Sequence, residues 1–307
     1  MLVRASSASK PAVQRLVARG VMILEVDTEN EIDPSLLKPF EIVLSCIGPE
    51  GQLSQLNLAT ASKAAGVKRF VPCGYITICP PGGIMENRDQ KDEVNNHIFK
   101  LKLPYTYIDT GFWHQISFPK LSSGRTDDVH LYLPNEIYAG GDAPNLLTDL
   151  RDIGRFVARI IKDPRTLNKR VFTWSDELLQ NEIYAFSEEM SGEKIDRVSV
   201  SAEAVLERVE KARAAYKASP PTNLVNTPER MALWSSEYVY SKYVRADNTR
   251  ETALYLGYLD ARELYPDFKP ITYRDFFGEL LSGGIKRPYE EKYSQATLQK
   301  RHAREQK

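Results

Sequence analysis

The feature that most restricts this chain is a rhythm in its first third, where short apolar runs alternate with helix signals. Met1–Ala5 is a short apolar strand, and Met22–Val26 is strand-like again. Glu41–Gly48 reads as a buried strand, Arg69–Tyr75 as another apolar run and Tyr105–Phe112 as a further strand. Between them, Ser9 caps a helix with Pro11 in its first turn and Gly20 at its close. Leu53–Ala65 is an amphipathic helix ended by Gly66, and Gln90–Leu101 is a helix that follows a Pro/Gly loop. Helices of this length between strands make right-handed crossovers, so the pattern predicts an α/β chain with a parallel sheet.

The later chain is less regular. His130–Gly141 predicts a hairpin or paired short strands, Asp149–Lys162 a helix stopped by Asp163-Pro164, and Arg170–Trp174 a strand. Ser175 is placed to cap a helix ending near Ser191-Gly192, and Ser201–Lys217 is a charged amphipathic helix. Thr272 and Asp275 resemble a capping box ahead of a helix that Gly283-Gly284 ends. From Lys286 onward the chain is polar and basic, as a solvated tail is.

Several function classes lose support at once. The 41 basic and 41 acidic residues cancel, so no whole-protein grip on nucleic acid or an anionic membrane is expected. No apolar run approaches the length of a membrane span, and no secretory signal is visible in MLVRASSASK. Three cysteines, Cys46, Cys73 and Cys79, exclude a disulfide scaffold and favour a reducing, cytoplasmic setting. His97, His114, His130 and His302 lack metal-ligand spacing, so no metal site is expected. No GxSxG elbow is present, and Cys73 at a strand end reads as a small packing residue rather than a nucleophile.

A doubly wound sheet takes its ligands at the carboxyl ends of the strands, and dinucleotide binding is the natural use of this alternation. The G-x-G-x-x-G fingerprint is nevertheless absent; Gly48-Pro49-Glu50-Gly51 is the nearest approach and reads as a plain strand-to-helix turn. Tyr265 and Lys269 have the spacing of a short-chain reductase dyad, but Pro266 between them prevents a shared helical face. Lys91 stands near the start of its helix, above the carboxyl edge. Two readings are open to it: a solvated lysine beside Asp92 and Glu93, or a general acid/base whose pKa falls on burial.

Blocks of residues then carry a resemblance. Val67–Tyr75, Lys91, Leu103–Trp113, Asp149–Phe172 and Glu263–Phe277 occur in the order of the isoflavone reductase-like branch of the atypical short-chain reductases. With Val244–Asp267, the chain looks most like the fungal NmrA-like oxidoreductases, from Leu2 to about Leu281. The resemblance implies a Rossmann-type doubly wound parallel sheet with a smaller C-terminal substrate domain. Residues 1–125 would bind the dinucleotide with 148–174 packing back on them, 175–285 would form the substrate domain, and 286–307 the tail. It implies NADPH as hydride donor and a small natural product as substrate, with homodimerisation left open.

In residues, the resemblance makes Lys91 the catalytic acid/base and Arg4 the holder of the adenosine 2′-phosphate, a task suited to a guanidinium fork. Cys46, Ile47 and Gly48 would pack on the cofactor, with Pro72 and Cys73 at the end of the next strand. Thr110, Gly111, Phe112 and Trp113 would wall the nicotinamide and the substrate. Three departures accompany the match. Met1 falls where the family's second strand begins, so the first strand and its glycine turn are absent, and an incomplete N-terminus or a decayed copy is expected. The family's serine-led run after the proline reads Cys73-Gly74-Tyr75-Ile76, and its asparagine near the nicotinamide reads Gly111. A non-catalytic dinucleotide-sensing regulator and a truncated pseudoenzyme are the alternative readings.

Overall fold

The apolar runs become strands flanked by turn residues; β4 and β5 are buried at every position, and the strands before them only in part. In the computed structural model, which describes residues 1–131, 134–219 and 227–288 (49 and 50 by backbone only), the first six are short. They are β1 (Leu2–Val3), β2 (Leu24–Glu25), β3 (Ile42–Leu44), β4 (Arg69–Val71), β5 (Thr106–Thr110) and β6 (Phe112–Trp113). The remainder are β7 (Glu136–Tyr138), β8 (Pro144–Thr148), β9 (Lys169–Thr173), β10 (Asp176–Leu179), β11 (Val198–Val200) and β12 (Tyr258–Asp260). The helices begin with α1 (Ala5–Ala8), α2 (Pro11–Val17), α3 (Gln55–Ala64), α4 (Glu86–Leu101), α5 (Leu150–Ile160) and α6 (Gln180–Ser191). They continue with α7 (Ala202–Ala218), α8 (Pro228–Val239), α9 (Arg250–Tyr255), α10 (Ala261–Leu264) and α11 (Tyr273–Leu281).

The main sheet is parallel and runs β3-β4-β5-β9-β12. Ladders join β3 to β4, β5 to β9 and β9 to β12, and a Phe70–Tyr105 bridge joins β4 to the start of β5. One face packs Val43 and Phe70 against Leu58, Ala59, Val94 and Ile98 of α3 and α4. The other packs Val71, Ile108 and Val171 against Phe156, Val157 and Ile160 of α5. Helices on both faces make the sheet doubly wound, as expected from the alternation. β1 and β2 pair in parallel with each other, and neither pairs with β3. A second layer has β8 between β6 and antiparallel β10, capped by a core of Phe118, Leu147, Ile183, Tyr273, Phe276 and Phe277.

Local signals hold at several ends. Ser201 accepts from the Ala204 N–H at the start of α7, and Thr272 and Asp275 make the expected capping box. Elsewhere long-range partners override the local reading. Ser9 does not cap α2: it closes α1, and Pro11 opens α2 after Lys10 without a side-chain cap. Helix α4 begins at Glu86 rather than Gln90, because Glu237 of α8 accepts the Glu86 N–H at 2.7 Å and acidic Glu86 and Asp89 suit the first turn. Lys91 therefore lies in the second turn. Ser175 does not cap α6 either; its hydroxyl bonds Leu147 O and the His114 ring, and β10 intervenes. Helix α6 starts where the Glu182 carboxylate takes the Leu179 N–H.

The stretch from His130 to Gly141 forms no hairpin among its described residues. Its strand β7 pairs in parallel with β11 instead, since Gln180 satisfies the Tyr138 N–H and the Glu136 carbonyl from α6. The division expected at residue 175 is crossed by β12, which returns residues 258–260 to the main sheet beside β9. Of the expected tail, residues 289–307 lie outside the described residues, whereas Arg287 is buried and donates to Asp127 O at 2.6 Å. No helix among the described residues is long and apolar enough to cross a membrane.

Candidate active site

The parallel strands β3, β4 and β5 all end on one side of the sheet, and the loops that leave them enclose a cleft. Its cavity of about 830 Å³ is lined by Cys46, Ile47 and Gly48 after β3, by Cys73, Gly74 and Tyr75 after β4, and by Lys91 of α4. That volume lies within the roughly 300–1,000 Å³ usual for small-molecule sites. A second cavity of about 360 Å³ is lined by Thr110, Gly111, Phe112 and Trp113, by Tyr138 and Tyr184, and by Lys242. Tyr75, Ile76, Trp113, Met231, Trp234 and Tyr238 line both, so the two form one continuous cleft.

Lys91 is buried, and its solvated reading does not hold. The Nζ donates to Cys73 O at 2.7 Å and to Gln52 Oε1 at 3.1 Å, with no hydrogen bond to Asp92 or Glu93. Burial lowers its pKa from the ordinary lysine range; the Cys73 thiol opposes the shift and the Arg88 guanidinium adds to it. The α4 spacing puts Arg88 one turn before Lys91 and wholly inside the protein. Arg88 donates to Asp109 Oδ2 at 2.8 Å, to Thr77 O at 2.8 Å and to the Tyr107 hydroxyl. The Tyr258 hydroxyl donates to the same Asp109 oxygen at 2.7 Å, so one network fixes α4 to β5 and β12 beneath the cleft.

Cys73 behaves as the packing residue that its position suggested. Its N–H donates to Gln55 Oε1 at 2.7 Å, its Sγ lies 3.2 Å from Ile47 O, and burial raises its pKa. Gly74 is required by packing: a Cβ there would stand 2.4 Å from Ile108 O. Gly111 is required likewise, since its Cβ would stand 2.6 Å from the Leu147 backbone, which leaves no room for an asparagine. Pro72 is buried behind the cleft and does not line it. Arg4 follows β1 on the surface, exposed and outside both cavities.

The geometry adds residues that sequence reasoning passed over. Gln52 is buried, holds Lys91 through its oxygen and leaves its amide nitrogen without a partner in the cleft wall. Tyr75 has a left-handed backbone (φ 49) and a buried hydroxyl with no hydrogen-bond partner. Strained backbone of this kind persists where surrounding packing imposes it, and it clusters at functional sites. Only the strain at Tyr75 follows from chain geometry, and no sequence signal marks Gln52, Trp234 or Tyr238. An unpaired amide donor, an unpaired phenol and a deprotonatable amine at the carboxyl edge fit the carboxamide ring end of a nicotinamide cofactor.

A doubly wound parallel sheet with a cleft at the carboxyl ends of its strands is the Rossmann-type architecture, and here the cleft holds a buried lysine. Within that class the chain belongs to the NmrA-like family, whose profile matches residues 1–276. It is 37% identical over 287 residues to asnovolin J 5′,6′-dehydrogenase of Aspergillus novofumigatus, covering 92% of this chain and 86% of that one. It is 28% identical to the phenylcoumaran benzylic ether reductase Betv6 of Betula pendula, with 91% and 89% covered. The fold matches that of leucoanthocyanidin reductase from Vitis vinifera, solved with NADPH, at a TM-score of 0.73 and 22% identity, covering 92% and 90% of the two chains.

Proposed function

We propose that this chain is an NADPH-dependent oxidoreductase that reduces a small natural product, with Lys91 as its acid/base. The observation that carries the reading is Lys91 itself: a buried amine of lowered pKa, held at 2.7 Å on Cys73 O in the wall of the larger cavity. The relatives' names, a dehydrogenase and a benzylic ether reductase, support the same chemistry. Bound NADPH would supply a hydride to an activated carbon. Cys46, Ile47, Gly48 and Cys73 would pack on its ring end, and Arg4 would meet the 2′-phosphate. Thr110 and Gly111 would close the wall behind the nicotinamide, and Phe112 and Trp113 would face the substrate.

In this reading Lys91 gives or takes a proton at the oxygen next to the reacting carbon. Gln52 and the Cys73 carbonyl keep Nζ aimed, and the apolar wall excludes water. Residues 1–125 and 148–174, extended by β12, form the dinucleotide half, and most of 175–285 forms the substrate half. The test is NADPH titration by calorimetry, with NADH as control. Micromolar binding that favours NADPH, with the preference lost in Arg4→Ala, is the expected result. A folded chain that binds neither would exclude the reductase.

A further inference from the structure

Lys242 is a second amine in the cleft, and the mechanism above does not use it. It sits in a π-helical turn, Tyr240–Val244, that continues α8; such turns are rare and frequently accompany functional sites. Its residue surface is 3% exposed, and what is exposed lines the smaller cavity. Nζ lies 3.1 Å from the centroid of the Phe112 ring and 4.7 Å from that of Tyr243. Among the described residues it makes no hydrogen bond and no ion pair. The carboxylate that shares its cavity is already committed: Glu136 is bound by both Arg208 nitrogens, at 2.9 and 3.0 Å, and accepts the Tyr138 hydroxyl at 2.7 Å.

A buried ammonium without an anion is destabilising, so such a group is either paired or loses its proton. Here the aromatic rings of Phe112 and Tyr243 can stabilise an ammonium by their faces, yet none supplies a hydrogen-bond acceptor to Nζ. The cavity is the side from which a partner for Nζ can enter. Burial holds the Lys242 pKa well below the ordinary lysine value, so the amine alone favours its neutral form, and an anion entering beside it would restore the ammonium. Much of the rest of the wall is ring-lined, by Phe112, Trp113, Tyr184, Trp234 and Tyr238, with Asn135 and Gln180 among its polar groups.

We propose that Lys242 anchors an anionic oxygen group of the substrate, a carboxylate or enolate, so that the enzyme selects acidic, ring-bearing molecules. The proposal rests on the reductase reading for the word substrate, but the binding it describes needs no cofactor. The molecule's rings would fill the aromatic cavity while its anionic oxygen meets Lys242 Nζ on the side away from the Phe112 ring. Its reducible carbon would then point toward the junction of the two cavities, where Trp113, Tyr75 and Tyr238 stand. Lys242 is thus a specificity residue and Lys91 the proton carrier.

Naphthalene-2-carboxylate and naphthalene-2-methanol test this, because they share a ring system and differ in charge. The titrations are followed by calorimetry without NADPH. Wild-type protein should bind the carboxylate about tenfold or more tightly than the alcohol, the gain of a desolvated charge-assisted pair. The methyl ester of the acid should bind like the alcohol. In Lys242→Met, and in Lys242→Gln should the first variant not fold, the preference should vanish while the alcohol still binds. Equal binding of acid and alcohol by wild-type protein would overturn the proposal. So would a preference that survives in folded Lys242 variants, or one lost only in Lys91→Met. Failure of NADPH to bind would instead strike the reductase reading and leave these titrations unaffected.

Discussion

Lys91 and Lys242 are both buried amines, and their surroundings divide their roles. Lys91 has two hydrogen-bond acceptors, one of them a backbone carbonyl, so its position is fixed while its proton stays exchangeable. Lys91→Met should reduce turnover by about 10²–10⁴-fold with NADPH affinity nearly unchanged, which steady-state kinetics and calorimetry would separate. The same substitution should change how stability depends on pH. Folding lowers the Lys91 pKa, so between that value and the ordinary lysine value the unfolded chain binds more protons than the native one. Stability from this group therefore rises with pH through the window, and urea midpoints for Lys91→Met should lose that part of the slope. Unchanged turnover in Lys91→Met would remove the residue from the mechanism.

At the scale of elements, the cleft depends on how α4 is fastened to the sheet. Helix α4 carries a fully buried arginine, which its sequence, rich in charge, does not distinguish from a surface one. Arg88 pays its desolvation through Asp109, Thr77 and Tyr107, and Tyr258 completes the set from β12. Arg88→Met would leave Asp109 buried without its cation. A loss of about 3–5 kcal/mol is expected in chemical denaturation, and Asp109→Asn added to it should recover part of that loss. Equal stability of Arg88→Met and wild type would show that the pair is dispensable. Because Arg88 is one turn from Lys91, the double variant should also bind NADPH less tightly, through displacement of α4.

For the whole molecule, the decisive contact is where the two layers meet. β5 belongs to the main sheet and β6 to the second, and Gly111 is the residue between them. Its N–H donates to Thr173 O at 2.9 Å, and its missing side chain lets the Leu147 backbone approach. Gly111→Ala would force that backbone away and should cost about 1–3 kcal/mol, read from the denaturation midpoint. Since Thr110, Phe112 and Trp113 flank it in the cavity wall, the substitution should also weaken binding of naphthalene-2-carboxylate. Wild-type stability in Gly111→Ala would show that the layers can separate freely at this point.

Strand and helix periodicity, glycine stops and capping pairs are properties of neighbouring residues, so the sequence by itself determined the α/β class, the parallel order of crossovers and the ends of α7 and α11. Position alone left Lys91 with two readings, which no local rule separates, and the resemblance chose the acid/base. Only the tertiary structure decided which polar groups are buried and with what. Lys91 loses its water because Cys73 and Gln52 close over it, α4 starts early because α8 supplies Glu237, and Ser175 serves His114 instead of a helix. The environment of Lys242 is the clearest case: its neighbour Phe112 is far away in the chain, and nothing near it in sequence records that its amine is buried against rings. Burial and pairing are sums over contacts between distant segments, and those contacts exist only once the layers have packed.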